Sequence, residues 1–297
     1  METIKELNDK FGLNGTLQFQ MKDELIFLEG ENKFAKFALS LHGAHITSYK
    51  PTGDEDILWV SRKTHFKKNK AIRGGIPICW PWFCEHPEDK TKPSHGFARI
   101  ADWTLIETAL MDDMDTITVT LELTSNCETR KLWPYEFTLQ NKITFGDTLK
   151  VELITENRDT TPFTITEALH SYFNICDIRN ISINGLENIQ YIDSIDHNTK
   201  KTQENSITFN GEVDRVYIDT ADTCMLSDAK FKRTIKVSKE GSHSTVVWNP
   251  WVEKSKRMSD FADDEYQTMV CVETTNALDD AILIEPGKKH SLITQIS

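Results

Sequence analysis

Two stretches of this chain carry groups that could move protons. In Glu167-Ala168-Leu169-His170-Ser171-Tyr172-Phe173 a histidine sits among apolar and aromatic residues, and in Met269-Val270-Cys271-Val272-Glu273-Thr274-Thr275-Asn276 a carboxylate follows directly on an apolar run. Imidazole titrates near neutrality and can serve as acid or base. A carboxylate on a strand that should be largely buried needs a partner or a purpose, so Glu273 reads either as a paired structural group or as a working one. If residues 167–173 form a strand, Glu167, Leu169, Ser171 and Phe173 share one face and Ala168, His170 and Tyr172 the other. Glu167 is then not the direct partner of His170.

Other stretches could grip an anion or a polyol. Arg73-Gly74-Gly75-Ile76-Pro77-Ile78-Cys79-Trp80-Pro81-Trp82-Phe83 sets a cation before two glycines and a Pro-punctuated aromatic run, which no helix or regular central strand accommodates. It reads in two ways. The glycines could let backbone N–H groups approach an anion held by the Arg73 fork, or they could form a tight turn with core-anchored aromatics. Ser94-His95-Gly96-Phe97-Ala98-Arg99 repeats the theme, so two Arg-Gly turns could converge on one anion. His95 could equally be a hydrogen-bonded structural histidine, and Arg99 a surface ion pair. Asp214-Arg215 offers a carboxylate for hydroxyls or an ordinary ion pair. Trp248-Asn249-Pro250-Trp251 offers rings and an amide for a sugar, or packing. His42 and His45 are spaced i, i+3, but on a strand their rings diverge, which argues against zinc. No GxSxG elbow or local Cys-His signature supports a hydrolase.

The elements that must position these groups read as strands. Ile117, Val119, Leu121 and Leu123 alternate with Thr116, Thr118, Thr120 and Glu122. Phe137, Leu139, Ile143 and Phe145 continue the pattern, and Gly146-Asp147 turns the chain into Leu149, Val151 and Leu153, predicting an antiparallel hairpin. A second hairpin is predicted from Thr234–Val237 through Glu240-Gly241 into Thr245–Trp248. Ile4, Leu7 and Phe11 suit a short helix stopped near Gly12, and Ser259 could cap a turn from Asp260 to Glu265. Asp193–Asn205 reads as a polar surface connection. With no βαβ alternation, repeat or linker, the chain is expected to be one all-β domain, 1–297, a large antiparallel β-sandwich with a few short helices.

Composition narrows the function. With 46 acidic and 34 basic residues the net charge is -12, and no basic stripe suits nucleic acid. An anionic ligand would need a local basic pocket. No apolar run resembles a signal peptide or a membrane span, so a cytoplasmic protein is expected. Six cysteines without CxxC spacing read as reduced structural thiols, and the sequons at Asn14 and Asn180 as chance matches.

Taken together and in order, Arg73-Gly74-Gly75-Ile76-Pro77, His95-Gly96-Phe97-Ala98-Arg99, Leu169-His170-Ser171-Tyr172-Phe173, Asp214-Arg215-Val216-Tyr217, Trp248-Asn249-Pro250-Trp251 and Val272-Glu273-Thr274-Thr275-Asn276 resemble the hexose-6-phosphate mutarotases. These are the glucose-6-phosphate 1-epimerase branch of the aldose 1-epimerase family. The resemblance implies a galactose-mutarotase-like supersandwich with the sugar in a groove across one sheet. It implies catalytic roles for His170 and Glu273, and substrate binding by Arg73, Arg99 and Asp214, with Ser94 and His95 beside them. Ser94 stands where relatives often carry Gln, and it reaches less far. The implied reaction interconverts the α and β anomers of a hexose 6-phosphate, without metal or cofactor, and neither nucleic acid nor membrane is expected as a partner. Ionised Glu273 and protonated His170 would serve as base and acid, their opposite charges favoured by mutual attraction. A mutarotase for unphosphorylated aldoses and a non-catalytic sugar-binding module are the alternatives.

Overall fold

The computed structural model describes residues 3–13, 15–111 and 115–297, so Asn14 of the first sequon lies outside the described residues. The chain is mostly antiparallel strand, with two eight-stranded sheets as its main layers. The back sheet runs Ile181–Asn184, Cys224–Asp228, Arg233–Glu240, Lys289–Ile296, Leu149–Asn157, Phe137–Phe145, Ile117–Thr124 and Thr104–Leu110. The front sheet runs Thr199–Thr202, Gln190–Asp193, Val213–Tyr217, Ser244–Asn249, Met269–Asn276, Glu167–Leu169 and Ile78–Cys79, with Tyr172–Asn174 also pairing on Met269–Asn276. One apolar cluster from Leu7 to Ile296 joins the sheets, taking Val247, Val270 and Val272 from the front and Leu139, Ile143, Val151, Leu153 and Leu292 from the back.

The expected hairpin over 137–153 forms, with Phe145 opposite Leu149 and burial alternating along both strands. A four-stranded sheet over residues 17–51 docks on its tip. Phe37 stacks on Phe145 at 3.8 Å, and the Tyr49 hydroxyl donates to the Gly146 carbonyl at 2.7 Å. The N-terminal helix spans Ile4–Phe11. Thr3 and Glu6 form a reciprocal capping box at its start, and at its end a Cβ on Gly12 would meet the Asn8 carbonyl at 2.5 Å.

Three expectations are corrected. Arg233–Glu240 and Ser244–Asn249 do not pair with each other: the first lies in the back sheet and the second at the centre of the front sheet. Glu240-Gly241 is therefore an arch between layers, held against the Lys289–Ile296 strand, where a Cβ on Gly241 would meet the Ser291 carbonyl at 1.9 Å. A hairpin and an arch share the same local signal of two β runs and a glycine turn. What separates them is that Ser244–Asn249 is buried at all six positions, which requires neighbours on both edges and cover on both faces. The polar stretch after Asp193 contributes Thr199–Thr202 as an edge strand, whose lysines guard the unpaired side. The turn expected at Ser259 forms, with the Phe261 N–H donating to the Met258 carbonyl at 3.3 Å, but the Ser259 side chain does not cap it, and a helical turn without a side-chain cap follows at Glu265–Thr268.

Candidate active site

The site is built on the outer face of the front sheet. Direct cross-strand partners share a face, so Asp214, Trp248, Cys271 and Tyr172 form one row over four strands. Val216, Val246 and Glu273 form the next. The apolar members of both rows belong to a second cluster, separate from the inter-sheet core, in which Trp59, Phe261 and Met269 join Tyr172, Val216, Val246, Trp248 and Cys271. Along Met269–Asn276 every residue is buried, yet Val270 and Val272 face the core while Cys271 and Glu273 face this aromatic floor.

His170 occupies the break between Glu167–Leu169 and Tyr172–Asn174. Its backbone N–H donates to the Pro77 carbonyl at 3.1 Å, and Val272 donates to Ser171 at 3.2 Å, so the residue is clamped from both sides. The ring keeps the predicted face with Tyr172, against which it stacks at 4.8 Å and 8°. Trp248 meets it edge-on at 6.2 Å, and His95 at 5.7 Å. His170 Nδ1 lies 3.4 Å from Glu273 Oε1, with His170 8% and Glu273 2% exposed. His170 Nδ1 and Glu273 Oε2 have no hydrogen-bond partner.

The electrostatics correct the expected charge states. Burial, with Asp214 adding repulsion, pushes the Glu273 carboxyl well above the usual range. Burial, with His95, Arg99 and Arg73 adding repulsion, pushes His170 well below it. Desolvation therefore outweighs mutual attraction and favours a neutral pair. His95 is lowered to about 3 by burial and by the same two arginines. Its Nδ1 accepts the Cys84 N–H at 3.2 Å, so the neutral ring carries its proton on Nε2.

The paired glycines serve packing. Gly74 and Gly75 both have positive φ; a Cβ on Gly74 would meet the Trp59 carbonyl at 2.3 Å and one on Gly75 the Ile46 carbonyl at 2.1 Å. The Gly75 N–H is spent on Trp59 at 2.7 Å, so it is not turned to an anion. The turn instead aims Arg73, whose side chain is a quarter exposed. The guanidinium donates to the Tyr172 hydroxyl at 3.0 Å and through Nε to Asp260 at 3.2 Å. Burial opposes its charge, but Tyr172 and Asp260 hold its pKa above the ordinary value.

Arg99 donates to the Ser94 carbonyl at 2.7 Å. The exposed Ser94 has its hydroxyl only within 3.4 Å of the Cys84 carbonyl, a weak contact. Lys254 lies 3.3 Å from Asp214 and 3.2 Å from Glu212, with its ammonium over the Trp248 ring at 5.6 Å. It is delivered by the unforeseen short helix Trp251–Ser255. Asn249 is not available to a sugar, because its amide donates to the Tyr266 and Met269 carbonyls and its oxygen accepts from Trp251. His42 and His45 do diverge, to Asp102 and to the Gly74 carbonyl.

The structure thus gathers His170, Glu273, His95, Arg73, Arg99 and Asp214 around one aromatic floor and leaves Ser94 at the rim. Sequence reading misses the parts played by Tyr172, Cys271, Lys254 and Asp260. Strand parity with His170 and Glu273 is a signal for the first two, whereas Asp260 lies 187 residues from Arg73 with no local signal. The six cysteines are free, with Cys79, Cys224 and Cys271 buried. Among the described residues no helix is long and apolar enough to cross a membrane.

Comparison with known proteins identifies the family. A profile of the family described as aldose 1-epimerase matches residues 26–297. A protein of Escherichia coli K12 named "Putative glucose-6-phosphate 1-epimerase" is 39% identical over 86% of this chain and 84% of its own length. A protein of the same name from Salmonella typhimurium is 39% identical over 89% and 88%. The crystal structure of a "putative mutarotase" from Salmonella typhimurium superposes with a TM-score of 0.89 at 36% identity, covering 96% of this chain and 94% of that one.

Proposed function

The chain belongs to the aldose 1-epimerase family, and from that premise we propose that it interconverts the α and β anomers of hexose 6-phosphates, glucose 6-phosphate first among them. The observation that carries the reading is the His170–Glu273 pair, 3.4 Å apart and buried on an aromatic floor beside the Arg73 guanidinium. Anomer exchange needs one proton taken from O1 and one given to O5. Glu273 takes the O1 proton as the C1–O5 bond breaks and C1=O1 forms, while His170 donates to O5. Rotation about C1–C2 and reversal of both transfers close the ring as the other anomer.

The pair holds one mobile proton in either of its forms, carboxylate with imidazolium or carboxylic acid with imidazole. Ring opening converts the first into the second. Burial that favours the neutral form therefore lowers the energy of the opened state, and ring closure restores the charges. The aromatic floor suits the apolar face of the sugar. Asp214 and the Nε2–H of His95 are placed to hold hydroxyls, with Ser94 at most a rim contact. Arg73 and Arg99 take the phosphate on C6 and turn that remote binding into orientation of C1. The continuous core from Leu7 to Ile296 supports treating residues 1–297 as a single domain.

Magnetisation-exchange NMR on the anomers of glucose 6-phosphate and of glucose, with catalytic amounts of protein, tests the reading. Strong acceleration of the phosphosugar alone is expected. Equal acceleration of both would keep the acid–base pair and discard the phosphate site, and acceleration of neither by folded protein would leave a binding module. The mutarotase for free aldoses draws on one specific observation, that Arg73 is already paired with Asp260 at 3.1 Å.

A further inference from the structure

We propose that His170, Cys271 and Glu273 also form a binding site for a thiophilic divalent cation, Zn²⁺ or Cd²⁺, and that the cation and the sugar exclude each other. One imidazole nitrogen, one sulfur and one carboxyl oxygen lie within 4.8 Å of one another, on three buried side chains. The 3.4 Å between His170 Nδ1 and Glu273 Oε1 already matches an edge of a zinc coordination tetrahedron, where bonds of about 2.0–2.3 Å set neighbouring donors roughly 3.3–3.7 Å apart. The sulfur lies within 4.8 Å of both and closes the triangle by moving inward.

A second, independent observation points to a ligand. His170 Nδ1 and Glu273 Oε2 are buried without hydrogen-bond partners, a state that native structures seldom leave unexplained. A metal ion would use the lone pairs that no protein donor reaches. The donor set also selects the metal: imidazole and thiolate suit zinc and cadmium, whereas magnesium and calcium require oxygen ligands. A dication with one thiolate and one carboxylate is neutral overall, so the buried face accepts the complex without an uncompensated charge. Binding is an exchange of M²⁺ for the thiol and carboxyl protons, which leave to solvent. The other His–Glu pair among the described residues, His290 with the buried Glu167, has the amide of Asn276 beside it where this one has a thiol.

Exclusion of the sugar rests on the proposed function, because the metal would occupy the lone pairs that the reaction uses. Binding itself does not, so the two are tested apart. Co²⁺ added to the full-length protein should give a thiolate-to-cobalt charge-transfer band at one equivalent, reversed by Zn²⁺. The band should vanish in Cys271→Ser and in Cys271→Ala, each checked for an unchanged circular dichroism spectrum, and persist in Cys79→Ser and Cys84→Ser. Glucose 6-phosphate should diminish the band, and Zn²⁺ should raise the apparent KM for the sugar, with its inhibition constant weakened at least tenfold in Cys271→Ser. No band with folded wild-type protein, or a band that survives loss of the Cys271 thiol, overturns the site. A band indifferent to sugar phosphate overturns the exclusion. Absence of mutarotation with the band intact would sink the proposed function and leave the metal site standing.

Discussion

Among the described residues two His–Glu pairs have a buried carboxyl, and they differ in what surrounds them. His170 and Glu273 lie on the outer face of the front sheet, 3.4 Å apart. His290 and Glu167 lie between the sheets, 3.3 Å apart, with Glu167 fully buried. Both carboxyls are pushed upward mainly by burial; Glu273 has one oxygen without a hydrogen-bond partner and Glu167 has both. The contrast is in the surroundings. Tyr172, Trp248, His95 and Arg73 ring the first pair with aromatic faces and a guanidinium. Around the second, His290 Nε2 is engaged by Asn276 at 3.1 Å, and Asn276 in turn by Asp280 and the Gly241 carbonyl. A shifted carboxyl beside a histidine is thus no mark of chemistry by itself; the open aromatic face distinguishes the pair that can work.

The largest test of that contrast is Glu273→Gln, which keeps shape and removes the base. It should slow phosphosugar anomer exchange by about 10²–10⁴-fold, while Glu167→Gln stays within roughly threefold of wild type. Equal losses would erase the distinction. Next comes Arg73→Ala, expected to lower kcat/KM for glucose 6-phosphate by about 10–100-fold, the worth of one charge-assisted interaction, with little change for glucose. Equal losses on both sugars would reduce Arg73 to a brace for Tyr172 and Asp260.

How much of this the sequence discloses depends on the range of the interaction. Alternation over 117–153 is local, and it specifies both the hairpin and its inward face. The same parity rule separates Glu167 from His170 and places Tyr172 beside it, so one wall of the site is legible from local spacing alone. The pairing of Ser244–Asn249 is not readable, because an arch and a hairpin differ only in strands that arrive later in the chain. His170 and Glu273 are joined at the level of sequence only through family resemblance; parity alone leaves Glu273 open. Arg73 shows the limit most plainly. Its glycines suggest an anion cradle, yet they serve close packing, and the carboxylate that fixes its fork comes from Asp260 in an irregular segment.

The pH profile sharpens the contrast from the electrostatic side. The working pair carries one proton between the pH at which a second adds and the pH at which the last leaves. With His170 pushed down and Glu273 pushed up, this window is widened in both directions. The rate should be flat through neutral pH and fall about tenfold per unit beyond each limb. Asp214→Asn removes a repulsion that raises Glu273, so the alkaline limb should move to lower pH. An unmoved limb would mean that Glu273 is not the group titrating there.

The smallest effect belongs to the structural pair and is read in stability. Burial raises the folded-state pKa of Glu167, the largest of its causes, with His290 only partly opposing it. A raised pKa means that the folded protein holds the carboxyl proton more tightly than the unfolded chain does. The stability it contributes is complete below the unfolded value, near 4.5, and is lost as pH climbs towards the folded one. Glutamine has the same shape, keeps a donor and an acceptor, and does not titrate. Glu167→Gln and wild type should therefore unfold at similar urea concentrations near pH 4.5. Above that the variant should gain on wild type by up to about 1.4 kcal/mol per pH unit until the folded pKa is passed. A difference independent of pH would show that Glu167 stays charged between the sheets, stabilised by His290 as an ion pair. The two pairs would then differ in charge as well as in surroundings.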